Sequence, residues 1–127
     1  MTEKSIARKL LIKAGYKILI VNAPDGYTNL IGELPEGVTV LKKPQPGADL
    51  IQVFLKSEKE LEEQLPRMKE SLTASGLLWV MYPKGTSKIP FDINYDIIAA
   101  YARTIGMVGI AMISIDETWS ALRLKKT

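Results

Sequence analysis

The chain has 127 residues, of which 46% are hydrophobic and 24% charged, and its formal net charge is +3. It contains no cysteine and no histidine, which excludes disulfides, thiol nucleophiles, cysteine- or histidine-ligated metals and histidine-based catalysis. Any proton transfer would have to use Asp, Glu, Lys or Tyr side chains. The length predicts a single domain with a core large enough to fold unaided.

The first third of the chain predicts a helix, a strand and a turn. Apolar residues recur at helical spacing from Ile6 to Ala14, ahead of Gly15, and predict a helix of about ten residues. The unbroken aliphatic run from Lys17 to Val21 predicts a strand that is covered on both faces, as in a parallel sheet. It leads into a turn at Asn22 to Tyr27 and a short helix through Leu30 to Gly32.

Two strands and the clearest helix signal follow. Charges and prolines flank Val38 to Leu41, which predicts an edge strand, and Leu50 to Leu55 predicts a buried one. Ser57 and Glu60 form a capping box, in which the serine hydroxyl meets the Glu60 amide and the carboxylate returns to the Ser57 amide. Pro66 lies within the helix that they open, and it predicts a kink or a break there.

The last third predicts a strand, a helix and a hairpin. Gly76 predicts the end of the preceding helix. The apolar run from Leu77 to Tyr82 predicts a strand that is buried on both faces. Asp92 is placed to cap an amphipathic helix. Met107 to Ile115 and Thr118 to Leu124 predict two strands, and the connection between them is so short that they must be antiparallel neighbours.

The order of the elements predicts the fold. Strands that alternate with helices indicate a three-layer α/β architecture, with a mostly parallel sheet, helices on both faces and a C-terminal antiparallel hairpin. We expect the second strand at one edge of the sheet, followed in space by the first, third, fourth, sixth and fifth strands.

Five passages resemble class I S-adenosylmethionine-dependent methyltransferases. Leu61 to Pro83, Ile97 to Gly106 and Met107 to Leu124 resemble the C-terminal half of that family. Leu19 to Gly26 takes the place of its first strand and cofactor loop, and Ala48 to Val53 that of its fourth strand. The resemblance implies a shortened, Rossmann-like methyltransferase fold.

Nearly the whole chain also resembles a group of small uncharacterised bacterial single-domain proteins, a domain of unknown function. The shared passages are Val-Asn-Ala-Pro-Asp-Gly-Tyr at 21–27, Leu-Trp-Val-Met-Tyr-Pro-Lys at 78–84 and Asp-Glu-Thr-Trp-Ser-Ala-Leu-Arg at 116–123. This second resemblance implies no particular activity.

Two departures from the methyltransferase pattern bear on function. The loop Asn22 to Tyr27 has one glycine and a proline, where the methyltransferases are glycine-rich so that backbone can approach the cofactor. Lys42 or Lys43 stands where that family has an acidic residue for the cofactor ribose. We therefore expect a non-catalytic binding or interaction module with no cofactor. The alternative is a small enzyme or ligand-binding protein that uses a nucleotide or S-adenosylmethionine.

Ligands of open α/β sheets bind beyond the carboxyl ends of the strands, which selects the candidate binding residues. Those that follow the first, third and fourth strands are Asn22, Pro24, Asp25, Gly26, Tyr27, Lys56, Ser57, Tyr82, Lys84 and Thr86. Asp25 is placed to cap the short helix after it or to pair with Lys84, and the amides after Ser57 are a candidate seat for a phosphate or carboxylate. No residue is assigned as catalytic or metal-ligating.

Partners and location follow from what the sequence lacks. No apolar stretch reaches the about 20 residues of a membrane span, so we expect a cytoplasmic protein without a membrane partner. No aromatic residue interleaves with the terminal lysines, so we expect no nucleic-acid partner. Trp119 and Arg123 alternate on one face of the last strand, and they suggest a homodimer through the C-terminal hairpin. A small-molecule ligand in the cleft is a further hypothesis.

Overall fold

The computed structural model describes residues 6–86, 88 and 90–127, which contain four helices and six strands. In chain order these are α1 (Ile6–Lys9), β1 (Lys17–Val21), α2 (Tyr27–Ile31), β2 (Thr39–Leu41), β3 (Ala48–Phe54), α3 (Glu58–Ser71), β4 (Leu72–Pro83), α4 (Tyr95–Thr104), β5 (Met107–Ser114) and β6 (Trp119–Lys126). None of these helices is long and apolar enough to cross a bilayer.

The six strands form one sheet in the order β2-β1-β3-β4-β6-β5, which confirms the predicted order. Strands β1 to β4 pair in parallel, and β6 runs antiparallel to both of its neighbours, β4 and β5. The predicted α/β class, a mostly parallel Rossmann-like sheet with a C-terminal antiparallel hairpin, is therefore confirmed.

Helices cover both faces of the sheet, as predicted. The side chains of α3 and α4 pack with one face in an apolar cluster that includes Leu61, Leu65 and Ile98. On the opposite face, α1 and α2 contribute Leu10 and Tyr27 to a second cluster. We call these the α3–α4 face and the α1–α2 face.

Helix α1 is shorter than the sequence predicts. It ends at Lys9, well before Gly15, because Leu11 adopts a left-handed conformation with φ of 66°. The Trp79 indole N–H donates to the Leu10 carbonyl across 2.9 Å, in the core of the α1–α2 face. The Leu10 carbonyl, just after the helix, thus accepts a long-range hydrogen bond. The local spacing of apolar residues does not indicate this contact.

Helix α3 is continuous through Pro66, so of the kink or break predicted there the break does not occur. It also ends at Ser71 rather than at Gly76, since Leu72 already pairs with Ala48 of β3. The buried side chain of Leu72 joins the α3–α4 cluster. Tertiary pairing here overrides the helical pattern that the sequence displays.

Two predicted helix caps are wrong. Asn94, not Asp92, caps α4, and its side-chain oxygen accepts a hydrogen bond from the Ile97 amide at 3.0 Å. Helix α2 begins after Gly26, which has φ of 85°, and no side chain caps it, so Asp25 does not. The N-cap position is thus occupied by Asn94 in α4 and by Gly26 in α2, and both residue types are common there.

Candidate functional site

The carboxyl ends of β1 and β3 border a cleft of about 340 Å³. Its lining residues are Asn22, Pro24, Phe54, Lys56, Glu60 and Trp119, and we call it the β1–β3 cleft. Small-molecule sites usually measure about 300 to 1,000 Å³, so this cleft is at the lower end of the range. Three of the predicted binding residues, Asn22, Pro24 and Lys56, therefore lie around one concavity.

The loop after β1 turns through two residues in the left-handed region. Asn22 has φ of 60° and Gly26 has φ of 85°. The Asn22 amide nitrogen donates to the Phe54 carbonyl at 3.3 Å and to the Gln64 side-chain oxygen at 2.7 Å. Asparagine tolerates this conformation better than most residues do, so it makes a turn that glycine usually makes while its side chain ties the loop to β3 and α3.

An aromatic wall supports the cleft from the α1–α2 face. The ring centroids of Tyr27 and Phe54 are 4.7 Å apart, and those of Phe54 and Trp119 are 5.0 Å apart, both in edge-to-face geometry. The Tyr27 hydroxyl donates to the side-chain oxygen of Gln52, which is fully buried. Burial raises the pKa of Tyr27, and the Asp116 carboxylate raises it further. Tyr27 is therefore a neutral, buried support for the cleft and does not line it.

The N-terminus of α3 is closed by side chains of the protein itself. The Ser57 hydroxyl accepts from the Glu60 amide at 3.1 Å, as the capping box predicts. The Glu60 carboxylate, however, accepts from the Lys56 amide at 2.9 Å rather than from that of Ser57. Asp92 accepts from the Glu58 amide at 2.7 Å, and its own amide donates to the Lys56 carbonyl. The Asp92 carboxylate thus occupies the predicted anion seat.

A second, more open cleft adjoins the first. It measures about 530 Å³, and its lining residues are Lys56, Ser57, Glu60, Pro90, Phe91 and Asp92. The two clefts share Lys56 and Glu60. The Glu60 carboxylate accepts from the Lys56 amide, and the exposed Lys56 ammonium is the cationic group that both clefts share.

The site residues predicted at the carboxyl end of β4, Tyr82, Lys84 and Thr86, do not line the β1–β3 cleft. Tyr82 is buried, and its hydroxyl lies 2.8 Å from the Met112 sulfur. Burial raises the pKa of Tyr82, and a hydrogen bond with Ser120 offsets part of the effect. The Lys84 ammonium donates to Ser114 at 2.6 Å.

The remaining predicted residues do not join the cleft. Asp25 and Gly26 are exposed in the β1–α2 turn, and Thr86 is exposed after β4. Among the described residues, Asp25 forms no ion pair with Lys84, whose ammonium is directed to Ser114 on β5. The structure thus groups the residues after β1 and β3 and separates them from those after β4.

Sequence reasoning missed Trp119 and Phe54 as cleft residues. Trp119 is the first residue of β6 and pairs with Pro83, the last residue of β4. The start of an antiparallel strand reaches the same edge as the carboxyl ends of its parallel neighbours, so the predicted topology already contained this signal. Trp119 is only 6% exposed, and the Arg123 guanidinium lies 5.7 Å from the Trp79 ring centroid. Neither residue offers the open hairpin face that the dimer hypothesis assumed.

No family model and no curated protein sequence matches the chain. Several solved structures are similar in fold. A TehB-like SAM-dependent methyltransferase of Corynebacterium glutamicum has a TM-score of 0.64 at 14% identity, and the match covers 98% of this chain and 89% of the other. For a SAM-dependent methyltransferase of Aquifex aeolicus these values are 0.62, 13%, 92% and 85%. For the complex of DhpI with SAH they are 0.65, 9%, 95% and 82%. The chain has a methyltransferase-like fold.

Proposed function

We propose that this protein is a non-catalytic binding module on a methyltransferase-like scaffold, with a small-molecule site in the β1–β3 cleft. The observation that carries the proposal is the loop after β1, which presents side chains where the glycine-rich loops of the resembled family present bare backbone. The Asn22 amide is committed to Phe54 and Gln64. Pro24, which also lines the cleft, has no N–H to offer.

The composition of the cleft supports binding without chemistry. Its titratable side chains are Lys56 and Glu60. The Glu60 carboxylate accepts from the Lys56 amide and lies 3.4 Å from the Ser57 hydroxyl, so its role is to hold the start of α3. With the Glu60 carboxylate held at the start of α3, the Lys56 ammonium beside apolar walls from Phe54 and Trp119 suits a ligand with an apolar body and one anionic group.

The alternative ligand is S-adenosylmethionine or a nucleotide. This alternative is favoured by the backbone of the loop after β1. Asn22 and Gly26 both adopt the left-handed conformation, so the loop turns tightly although it has a single glycine. The solved structures of similar fold include SAM-dependent methyltransferases and a complex with SAH. Against it, the exposed Lys42 and Lys43 follow β2, where an acidic residue would be needed to bind a ribose.

A thermal-shift experiment with S-adenosylmethionine, S-adenosylhomocysteine, ATP and NAD separates the two ligand classes. A ligand at 100 times its dissociation constant stabilises a protein by about 2.7 kcal/mol, which is readily measured. We expect no shift from these four compounds. A shift that the Asn22→Ala variant reduces would contradict the proposal and support the cofactor alternative.

Two-dimensional NMR with phenylacetate and hexanoate tests the proposed site directly. We expect both carboxylates to perturb the amide resonances of Asn22 and Lys56, and Lys56→Gln to abolish the perturbation. Lys59→Gln is the matched control, because Lys59 is an exposed lysine in the first turn of α3, three residues after Lys56, and lines neither cleft. If neither carboxylate perturbs the cleft, or if both lysine variants behave alike, the proposed site is wrong.

A further inference from the structure

The two edges of the sheet are built differently. At one edge, β2 has three residues, and Lys42, Lys43 and Pro44 follow it directly. At the other edge, β5 runs for eight residues from Met107 to Ser114 and contains no charged residue and no proline. Short length, lysine and proline are devices that keep an edge strand from pairing with another chain. Strand β2 is short and is followed directly by two lysines and a proline, whereas β5 is long and contains neither residue type.

The most exposed apolar side chain of β5 is that of Met112, the sixth of its eight residues. Met112 is 56% exposed, and Ile110 is 38% exposed. The other methionines that the structure describes, Met68, Met81 and Met107, are buried. The Met112 sulfur contacts the Tyr82 hydroxyl, yet more than half of the side chain remains exposed. A methionine is a flexible apolar residue that adapts readily to a packing partner, so this exposed part can pack against a second chain.

A bulge limits the part of β5 that could receive another strand. The pairing with β6 shifts between Gly109 and Ala111, which leaves Ile110 as the additional residue. From Ala111 to Ser114 the register with β6 is regular. A bulge interrupts pairing and bends its strand, so this segment is the continuous free edge.

We propose that Ala111 to Ile113 and the same segment of a second copy pair in antiparallel orientation across a twofold axis at Met112. Opposed residues of an antiparallel pair point to the same face of a sheet, so a twofold axis normal to the sheet can pass midway between a residue and its own copy. With the axis at Met112, the two Met112 side chains lie side by side and cover each other. The sheets of the two copies become continuous, and the contact is isologous.

Charge favours a second copy over an unrelated strand. The paired segments carry no charge and do not repel each other. Glu117 is exposed beyond the carboxyl end of β5, and Lys125 is exposed beside its start, where it pairs with Val108. Antiparallel pairing brings the acidic end of each copy toward the basic end of the other, which also opposes a parallel arrangement.

Because the chain has no cysteine, one introduced thiol reports on the axis. Met112→Cys is expected to form a disulfide-linked dimer under mild oxidation, since directly opposed strand residues have Cβ atoms about 4.5 to 5.5 Å apart, near disulfide range. The matched control is Val40→Cys on the β2 edge, where Val40 is 47% exposed, and it is expected to remain monomeric. Equal cross-linking of the two variants, or none in Met112→Cys, overturns the proposed axis.

Sedimentation equilibrium tests the dimer without chemistry. The protein is expected to show a mass that rises with concentration toward twice the monomer mass, and Met112→Lys is expected to remain a monomer at every concentration. Val40→Lys is the control and should associate like the unaltered protein. A constant monomer mass of the unaltered protein, or dimerisation of Met112→Lys, would overturn the proposal, and circular dichroism verifies that each variant is folded.

Discussion

The two faces of the sheet are held by different kinds of interaction. On the α3–α4 face, two long helices bury a cluster that is almost entirely aliphatic. On the α1–α2 face, two short helices cover a cluster that contains Tyr27, Trp79 and Trp119. That second cluster also holds the buried Gln52 through its hydrogen bond with Tyr27. One face thus relies on transfer of apolar surface from water, and the other depends in part on specific polar pairs.

The difference separates stability from binding. Phe54 and Trp119 belong to the cluster of the α1–α2 face and also line the β1–β3 cleft. We infer that the α1–α2 face both contributes to the core and shapes the candidate site.

The largest expected effect comes from truncation on the α3–α4 face. Leu65 is fully buried on α3, and Leu65→Ala should lower the free energy of unfolding by about 2 to 5 kcal/mol, because it removes apolar contacts and leaves a cavity. The control is Leu30→Ala on α2, where the leucine is exposed, with an expected change within about 0.5 kcal/mol. Urea denaturation measures both variants. A similar loss of stability in the two would contradict the role of Leu65 as a core residue of the α3–α4 face.

The next effect breaks the polar pair of the α1–α2 face. The Gln52 side-chain nitrogen has no hydrogen-bond partner among the described residues, and its oxygen is held by Tyr27. Tyr27→Phe leaves both polar atoms unpaired and should cost about 1 to 3 kcal/mol. Adding Gln52→Met removes the orphaned groups, so the double variant should be more stable than Tyr27→Phe alone. Additive losses in this cycle would show that the two residues are not coupled.

Much of the fold was predictable because its strongest determinants are local. The aliphatic runs of β1, β3 and β4 identify buried parallel strands, and the short connection at Asp116 and Glu117 requires a hairpin. Two of the failures share one cause, a distant contact that outweighs a local pattern. Leu72 leaves its helix to pair with Ala48, and Asp92 turns from its own helix to the amide of Glu58.

The candidate site was less predictable than the fold. The topology places the loop after β1 and Lys56 at the carboxyl ends of neighbouring strands, and in the structure both line the β1–β3 cleft. The left-handed conformation of Asn22 depends on partners in β3 and α3 that no local pattern indicates. Trp119 reaches the cleft only because β6 inserts between β4 and β5, so its place required the full strand order rather than a motif.

A smaller effect tests the helix that borders both clefts. Ser57→Ala removes the oxygen that accepts from the Glu60 amide, and loss of such a cap should lower the free energy of unfolding by about 1 kcal/mol. Ser75→Ala is the control, since Ser75 is an exposed serine outside the helices and should change stability little. Chemical denaturation measures both variants, and equal stabilities would mean that the Asp92 contact alone holds the start of α3.

The smallest effect is a pH dependence that differs between the two faces. Burial raises the pKa of Tyr27, so folding favours the neutral phenol, and this contribution is present below the unfolded pKa of about 10 and is lost as the pH rises above it. Half a unit above that value the loss should be under about 1 kcal/mol. The stability difference between the unaltered protein and Tyr27→Phe should therefore shrink from pH 8 to pH 10.5 in urea titrations, while lysine ionisation affects both proteins alike. On the α3–α4 face, burial also raises the pKa of Tyr82, but a hydrogen bond with Ser120 opposes it. The stability difference between the unaltered protein and Tyr82→Phe should accordingly change less with pH than the difference for Tyr27→Phe. Equal changes for the two variants would mean that the Tyr27–Gln52 pair does not distinguish the two faces.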